Sequence, residues 1–506
     1  MELVAAAFVE VFTPANLIFL IAGVFGGVIL GATPGLSATM AIALIIPFTF
    51  TLDPVPSLLM MMGAYKGGIY GGSISAILIK APGTSAAAAT VEDGHALAKQ
   101  GKGQKALKVS LVASVIGDTF SDIVLIVSAA QLAKVALEFG PVEYTAMTVF
   151  ALTIVGSAAG RSLVKGMVAA VAGLSLAMVG LDPTTGIPRL AFGWIEFYGG
   201  ISLIALMIGL LTVAELIRQM EERRSISKAH IPAARERDDR RITRADARLM
   251  VRPVIGGSII GTIIGIVPGL GPTLGAFLGY DNAWRFARQP DKFGRGSVEA
   301  IAGAESGNNA VSGANLIPLL GLGIPGDIEA AILIGAFLIQ GLTPGPLIFQ
   351  EAPDVVYGLY VGLIAANIVL LGAGLFAIRF FTRLAGLRTG LLFPVVFVLA
   401  IVGSYAFQQS LFDVGITFFF GIVGYLMVKA DIPRTTFLIG FILGPLLEDN
   451  FRRAMQLSSG EYDIFLSSSL GNVFWIAAFA SVVWIAVQRR KKRQLLARIE
   501  KETGEQ

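Results

Sequence analysis

Long apolar runs separated by short polar breaks occupy most of this chain. Asn16–Leu30, Leu111–Ala130, Val164–Gly180 and Ile201–Val213 carry few or no charges, and Tyr360–Ile378, Leu391–Val402, Ile416–Val428 and Leu470–Val487 continue the pattern. A bilayer core of roughly 30 Å takes about 20 apolar residues per helix, and about eleven to thirteen segments qualify, several of them short or interrupted. The pattern predicts an all-α polytopic membrane protein whose interrupted segments form broken or re-entrant helices.

One long hydrophilic stretch, Arg218–Arg252, divides the apolar runs. It holds eleven Lys/Arg residues against six acids, and the tail from Arg489 opens Arg-Arg-Lys-Lys-Arg. The positive-inside bias assigns both to the cytoplasm, with an even number of crossings between them. A lipid- or partner-docking role is the other reading of these charges. The expected organisation is a first transmembrane repeat (1–217), a basic linker (218–252), a second repeat (253–488) and a basic tail (489–506).

The repeat is inferred from two matched motifs. Gly31-Ala-Thr-Pro-Gly-Leu-Ser-Ala-Thr39 interrupts the first apolar run, and Gly265-Ile-Val-Pro-Gly-Leu-Gly-Pro-Thr273 interrupts another 234 residues later. Five positions match: Gly31/Gly265, Pro34/Pro268, Gly35/Gly269, Leu36/Leu270 and Thr39/Thr273. A second Pro-Gly follows a small-residue run in each half, at Pro82-Gly83 and Pro325-Gly326, now 243 residues apart. Broken helices at corresponding positions favour inverted repeats.

Proline removes a backbone donor and glycine allows positive φ, so each break frees N–H and C=O groups at membrane depth. Unsatisfied, each group costs several kcal/mol in hydrocarbon. Helix N-termini after a break offer N–H donors that suit a carboxylate. Pro34, Gly35, Ser37 and Thr39 at the first break, and Gly269, Gly271 and Thr273 at the second, are therefore candidate substrate ligands. Ser73, Ser75, Lys80, Gly83, Thr84 and Gly326 around the second Pro-Gly pairs join them. So do Asn308 and Asn309, adjacent amides whose other reading is helix–helix hydrogen bonding.

Charged residues at membrane depth add weaker candidates. Lys80 reads equally as an anion ligand or as a snorkelling side chain, and Lys66 leans towards snorkelling. Asp118 and Asp122 lie one turn apart on one face and are candidates for ion coupling, a hydrated crevice or a subunit contact. Asp413 is a weaker candidate of the same kind. Asp327 and Glu329 read as helix caps.

Composition narrows the function. The chain is 15% charged and 55% hydrophobic, against about 25% charged in soluble domains, which excludes a soluble fold. Its 60 glycines among 506 residues exceed the usual share of about 7% and suit close helix packing in lipid. There is no cysteine, which removes disulfides, thiol nucleophiles and Cys metal sites. His95 and His230 fall in hydrophilic stretches without nucleophile partners, and no P-loop or hydrolase motif appears. No cofactor or metal is expected beyond a coupling Na⁺ or H⁺. The first apolar segment reads as a retained helix and not as a cleaved signal.

The motifs resemble the large membrane subunit of the tripartite tricarboxylate transporter family (TctA type). The likeness runs through Gly31–Thr39, Tyr70–Ser75 with Ala81–Gly83, and Asp93–Gly101. It continues through Gly180–Arg189, Ile266–Thr273, Ala304–Ala310, Leu316–Gly326 and Leu443–Arg453, in order along nearly the whole chain. It implies a secondary active transporter, not an enzyme, that imports a tri-, di- or aromatic carboxylate across the bacterial inner membrane on an ion gradient. The implied partners are a small four-helix membrane subunit (TctB type) and a periplasmic solute-binding protein (TctC type). The implied site is Pro34–Thr39, Pro268–Thr273 and Asn308–Asn309. Lys66, Lys80, Asp118 and Asp122 depart from the family pattern, as does Ser37-Ala38 where the second half has Gly271-Pro272. A stand-alone transporter or channel is the alternative, and an intramembrane enzyme is a more distant one.

Overall fold

The computed structural model describes residues 2–33, 36–158, 162–222, 236–381, 392–483 and 487. The chain folds as an all-α multi-pass membrane protein. Among the described residues, six helices are long and apolar enough to cross a membrane, and six shorter apolar helices accompany them. The chain divides into two compact units. Unit 1 takes Met1–Leu137 and Ser202–Tyr425; unit 2 takes Glu138–Ile201 and Leu426–Gln506. Each unit therefore draws on chain from both sides of the central basic stretch.

Unit 1 opens with α1 (Glu2–Val11), α2 (Pro14–Ala32), α3 (Ala38–Ile45), α4 (Pro54–Ile79), α5 (Val91–Leu97) and α6 (Gly103–Ala136). Unit 2 begins with α7 (Pro141–Ala158) and α8 (Leu163–Ala177). The chain returns to unit 1 through α9 (Leu203–Met207), α10 (Ala214–Glu222), α11 (Arg244–Ile266), α12 (Gly271–Arg285), α13 (Val298–Ala314) and α14 (Leu316–Leu322). There follow α15 (Ile328–Ile339), α16 (Ile348–Glu351), α17 (Pro353–Phe381), α18 (Leu392–Gln408), α19 (Leu411–Lys429) and, in unit 2, α20 (Arg434–Leu457).

Local chemistry sets the helix ends. Thr13 caps α2 ahead of Pro14, which is preorganised for a first turn. Thr243 and Asp246 cap α11 reciprocally, the threonine hydroxyl accepting from the Asp246 amide at 3.2 Å and the aspartate from the Thr243 amide at 2.9 Å. α4 stops at Lys80 in a left-handed conformation (φ 56°), just before Ala81-Pro82, where the helical region is disfavoured.

Glycine stripes set the packing of unit 1. A Cβ on Gly23, Gly27 or Gly31 of α2 would meet backbone carbonyl oxygens of α4 at 2.0–2.3 Å. The residues 234 positions later, Gly257, Gly261 and Gly265, make the same close approach from α11 to the α13 backbone. The second Pro-Gly pairs behave alike: a Cβ on Gly83 would lie 2.1 Å from the Gly31 carbonyl, and one on Gly326 would lie 3.0 Å from that of Gly265. Small residues thus let helix backbones touch, which is the main source of association in lipid.

The helices against which these stripes pack are the most deeply buried. Every residue from Glu299 to Ala314 in α13 is buried, as are nearly all of α4. Neither helix is apolar enough to count as a membrane span, because protein and not lipid surrounds it. Polar residues are tolerated there when other side chains satisfy them.

Unit 2 packs α8 against α20, with Gly173 against the Phe437 carbonyl and Gly440 against that of Ala170. A short antiparallel ribbon, β1 (Gly180–Leu181) with β2 (Pro188–Arg189), follows α8. Asp182 holds this loop. Its carboxylate accepts from the Thr184 and Thr185 amides at 2.9 and 2.8 Å and from Arg452 Nη2 at 2.7 Å, while Arg189 joins Glu448.

Candidate substrate and ion site

The breaks of unit 1 converge. α3 starts at Ser37, whose hydroxyl accepts from the Met40 amide at 3.2 Å. α15 starts at Asp327, whose Oδ1 accepts from the Ala330 amide at 2.8 Å. Thr39 and Glu329 are each the second residue of these helices, and the Thr39 hydroxyl donates to Glu329 Oε1 at 2.5 Å. The first turns of two short helices from different parts of the sequence therefore adjoin at a buried carboxylate. The second break lies against the same place: the Gly269 amide (φ 84°) donates to the Gly326 carbonyl at 2.7 Å, and Gly271 (φ 66°) opens α12 beside Asp327. Positive φ at both positions explains why glycine stands there.

A polar shell surrounds this junction. Asp327 Oδ2 accepts from the Tyr65 hydroxyl at 3.1 Å and from Asn315 Nδ2 at 2.6 Å. Glu329 Oε2, Asn315 Oδ1 and both amide atoms of Asn308 are buried without a hydrogen-bond partner. Buried polar atoms are nearly always paired, and orphans of this kind mark places where a ligand, an ion or water completes the set.

A second polar line runs along α6. Ser114, Asp118 and Asp122 recur every fourth residue and face α13 and α4. Glu305 of α13 sits in a cage of hydroxyls: Ser73 at 2.7 Å, Thr90 at 2.5 Å and Ser114 at 3.3 Å. Asn309 donates to the Ser114 hydroxyl at 2.8 Å and to the Glu305 carbonyl at 2.9 Å. Beyond them Lys66 bridges Asp118 and Asp122, both at 2.8 Å, and also donates to Asn367 Oδ1 at 3.2 Å.

Most of the residues singled out in the sequence fall in or beside these networks. Thr39, Ser73, Gly269, Gly271, Gly326 and Asn309 belong to them directly, and Asn308 is buried on α13 next to Asn309 in sequence with its amide unpartnered. Ser37 acts as a helix cap. Ser75 bonds to the Gly72 carbonyl and Thr84 caps the following turn, accepting from the Ala87 amide. Gly83 is pressed between Gly31 and Gly72, its amide donating to the Gly72 carbonyl. Thr273 reaches the Ser85 hydroxyl at 2.8 Å, which ties the second break to the first half. Lys80 lies apart, half exposed in a surface pair with Glu92. Pro34, Gly35 and His230 lie outside the described residues.

One expectation is corrected and another extended. Lys66 does not snorkel: it sits mid-helix in α4 with no exposure, because two aspartates and an amide from α6 and α17 compensate its charge. Glu329 is more than a cap: its carboxylate stays by its own backbone amide and also accepts from Thr39 of another helix, while Asp327 caps α15 as expected. Tyr65, Asn315, Glu305 and Asn367 were not singled out as site residues. Asn367, embedded in the apolar run of α17, is the one a search for isolated amides would have found. Asp413, in the first turn of α19, keeps Oδ2 without a partner. In unit 2 an apolar cavity of about 570 Å³ beneath Phe451, Arg452 and Trp475 is lined by none of the predicted site residues.

Residues 17–439 match the model of the family described as "Tripartite tricarboxylate transporter TctA family". The chain is similar to the "Uncharacterized 52.8 kDa protein in TAR-I ttuC' 3'region" of Agrobacterium vitis, 35% identical over 476 residues covering 93% of each chain. It is also similar to the "Uncharacterized protein in TAR-II ttuC' 3'region" of the same organism, 35% identical over 184 residues, which is 36% of this chain and 76% of the relative. No solved structure matches it. The matched span takes in both Pro-Gly-Leu breaks, Thr39, Glu305, Asp327 and Glu329, and this multi-pass chain belongs to the TctA family, a family of tripartite tricarboxylate transporters.

Proposed function

We propose that this chain is the transport subunit of a binding-protein-dependent secondary transporter that imports a carboxylate across the inner membrane by symport. A small membrane subunit and a periplasmic solute-binding protein complete the system, and the basic linker and tail face the cytoplasm. The breaks derive from an inverted duplication, and the substrate binds where they meet.

One observation carries the reading: the first turns of α3 and α15 adjoin through Thr39 and Glu329, and in the same unit the Asn308 amide of α13 is buried without a partner. Helix N-termini and an amide are donors for an anion. Glu329 and Asp327 stand against that anion, since like charges at short range in a low-dielectric site repel strongly. The conflict is resolved if a cation enters with the substrate. Symport then follows from the charges of the site: the anion binds well only when the cation is present.

The test is uptake of labelled di- and tricarboxylates into vesicles holding the chain and its membrane partner, with cognate binding protein and a Na⁺ or pH gradient. Accumulation that needs the binding protein and collapses with the gradient is the expected result. Asn308→Ala should impair uptake while leaving membrane insertion intact. Uptake independent of any gradient or binding protein would sink the reading in favour of a channel or stand-alone carrier.

A further inference from the structure

We propose that Lys66, Asp118 and Asp122 form a proton-binding site, and that its proton is the coupling ion of the transport reading above, on which the coupling role rests. The three side chains come from α4 and α6 and have no solvent exposure. Two carboxylates against one ammonium leave one surplus negative charge. A buried uncompensated charge costs several kcal/mol even after relaxation, so the site requires one more cation.

The geometry selects which cation. The Lys66 ammonium has three hydrogens, and Asp118 Oδ1, Asp122 Oδ2 and Asn367 Oδ1 take them, at 2.8, 2.8 and 3.2 Å. The ammonium thus fills the position between the carboxylates that a metal ion needs. Asn367 further donates to Asp122 Oδ2 at 2.7 Å, and the Ser312 hydroxyl donates to Asp118 Oδ1. The oxygens left over are Asp118 Oδ2 and Asp122 Oδ1, both buried and unpartnered. Asp122 Oδ1 lies against the α13 backbone, where a Cβ on Gly313 would come within 2.5 Å of it. A coordinated Na⁺ with its ligand shell does not fit on that side. A proton does: it passes from hydronium to a carboxylate oxygen, forming one O–H bond, and returns to water on release, with nothing oxidised or reduced.

Among the described residues, no other charged side chain pairs with Lys66, Asp118 or Asp122. α4 contributes Lys66, with Tyr65 and Tyr70 as its other titratable groups. α13 contributes Glu305, a further acid one turn along through Ser114 and Asn309. α17 presents neutral Asn367, with Tyr357 and Tyr360 beyond it and Asp354 and Arg379 near its ends. α14 has no titratable residue. α11 carries Arg244, Asp246, Arg248 and Arg252 in the part of the helix before Pro253; Asp246 pairs with Lys105, and Asp239 of the segment before it with Lys102, at the start of α6 and away from Asp118 and Asp122. The coupling path is short: α4 also carries Tyr65, bonded to Asp327, and α13 also carries Asn308 and Asn309. Protonation that shifts either helix alters the substrate junction.

Asp122→Asn and Asp118→Asn are isosteric, and each leaves one aspartate with Lys66, a neutral pair that needs no proton. Infrared difference spectra of the purified full-length chain, in H₂O and D₂O, need no substrate. The expected result is an exchangeable carboxylic-acid C=O component in the wild type that either substitution removes. In vesicles, both variants should still exchange carboxylate but gain nothing from an inward pH gradient. A carboxylic-acid spectrum unchanged in both variants overturns the proposal, as does saturable ²²Na⁺ binding that either substitution abolishes. If the spectra behave as expected but no carboxylate moves under any gradient, the proton site stands and the transport reading fails.

Discussion

The Thr39 hydroxyl donates to Glu329 Oε1 at 2.5 Å across 290 residues of sequence, at a point where both side chains are buried. Each residue stands in the first turn of a short helix, so this one bond joins the first break to the segment after Pro325-Gly326. Thr39→Val keeps the shape and removes the one side-chain donor that Glu329 has among the described residues. The expected loss is about 1–3 kcal/mol, the usual cost of orphaning a buried polar group. Glu329→Gln keeps an acceptor for Thr39 and should cost less. Thermal unfolding of the detergent-solubilised protein, run as a double-mutant cycle, measures the coupling. A value near zero would show that the bond does not hold the two helices together.

Among the described residues Glu305 pairs with no cation; hydroxyls from Ser73, Thr90 and Ser114 compensate it. Glu305→Gln leaves an acceptor for these donors, whereas Glu305→Ala orphans the buried Ser73 and Thr90 hydroxyls and leaves Ser114 only its bond from Asn309, around a cavity. The alanine variant should therefore be less stable than the glutamine variant by about 2 kcal/mol or more. Comparing the two in the same thermal assay isolates the polar cage from the charge. Equal stability would mean that the hydroxyls find other partners.

How much of this was legible depended on sequence distance. The apolar runs and the Pro-Gly breaks are local signals, and they placed the helices and the positions where backbone groups come free. Asn308, Asn309 and Thr39 followed from them. The partners of Lys66 did not, because Asp122 and Asn367 lie 56 and 301 residues away and only the packing of α4 against α6 and α17 joins them. The link from Glu329 to Thr39 was hidden for a related reason: a carboxylate after a break suits a cap by local rules, and only the tertiary fold brings Thr39 to it from 290 residues away. The two compact units, each built from chain on both sides of the basic linker, leave no mark in the order of hydrophobic segments.

The glycine stripes make a graded prediction. Gly27→Ala places a Cβ 2.3 Å from the Ala64 carbonyl oxygen, and Gly261→Ala places one 2.3 Å from that of Gly307. Backbone cannot yield as a side-chain tip can, so the helices must separate. Each substitution should cost about 1–3 kcal/mol, the range for overpacking. Gly372→Ala in α17 meets nothing within 4 Å and should be neutral or slightly stabilising, since alanine is the better helix former. Expression level and melting temperature of the three variants check this. A Gly27→Ala protein as stable as the Gly372→Ala control would mean that the α2–α4 contact is looser than described.

The Asp182 loop of unit 2 supplies a pH test away from the membrane-spanning helices. The Arg452 guanidinium, with the Thr184 and Thr185 amides, holds the Asp182 carboxyl well below the usual carboxylate range. A group whose folded pKa is depressed adds stability that is complete above its unfolded value of about 4 and is lost as pH falls through the folded one. Asp182→Asn removes the charge that Arg452 and Arg189 meet, and the variant should melt below the wild type at pH 7. The gap between the two should narrow once the pH drops under about 4, where the Asp182 carboxyl of the unfolded wild type begins to take up a proton while the folded one does not. Other carboxylates titrate in the same window, so the quantity to read is the difference between the two proteins at each pH. A difference that stays constant from neutral to acid pH would assign the loop's stability to the Asp182 backbone turn, which asparagine preserves, and not to the ion pair with Arg452.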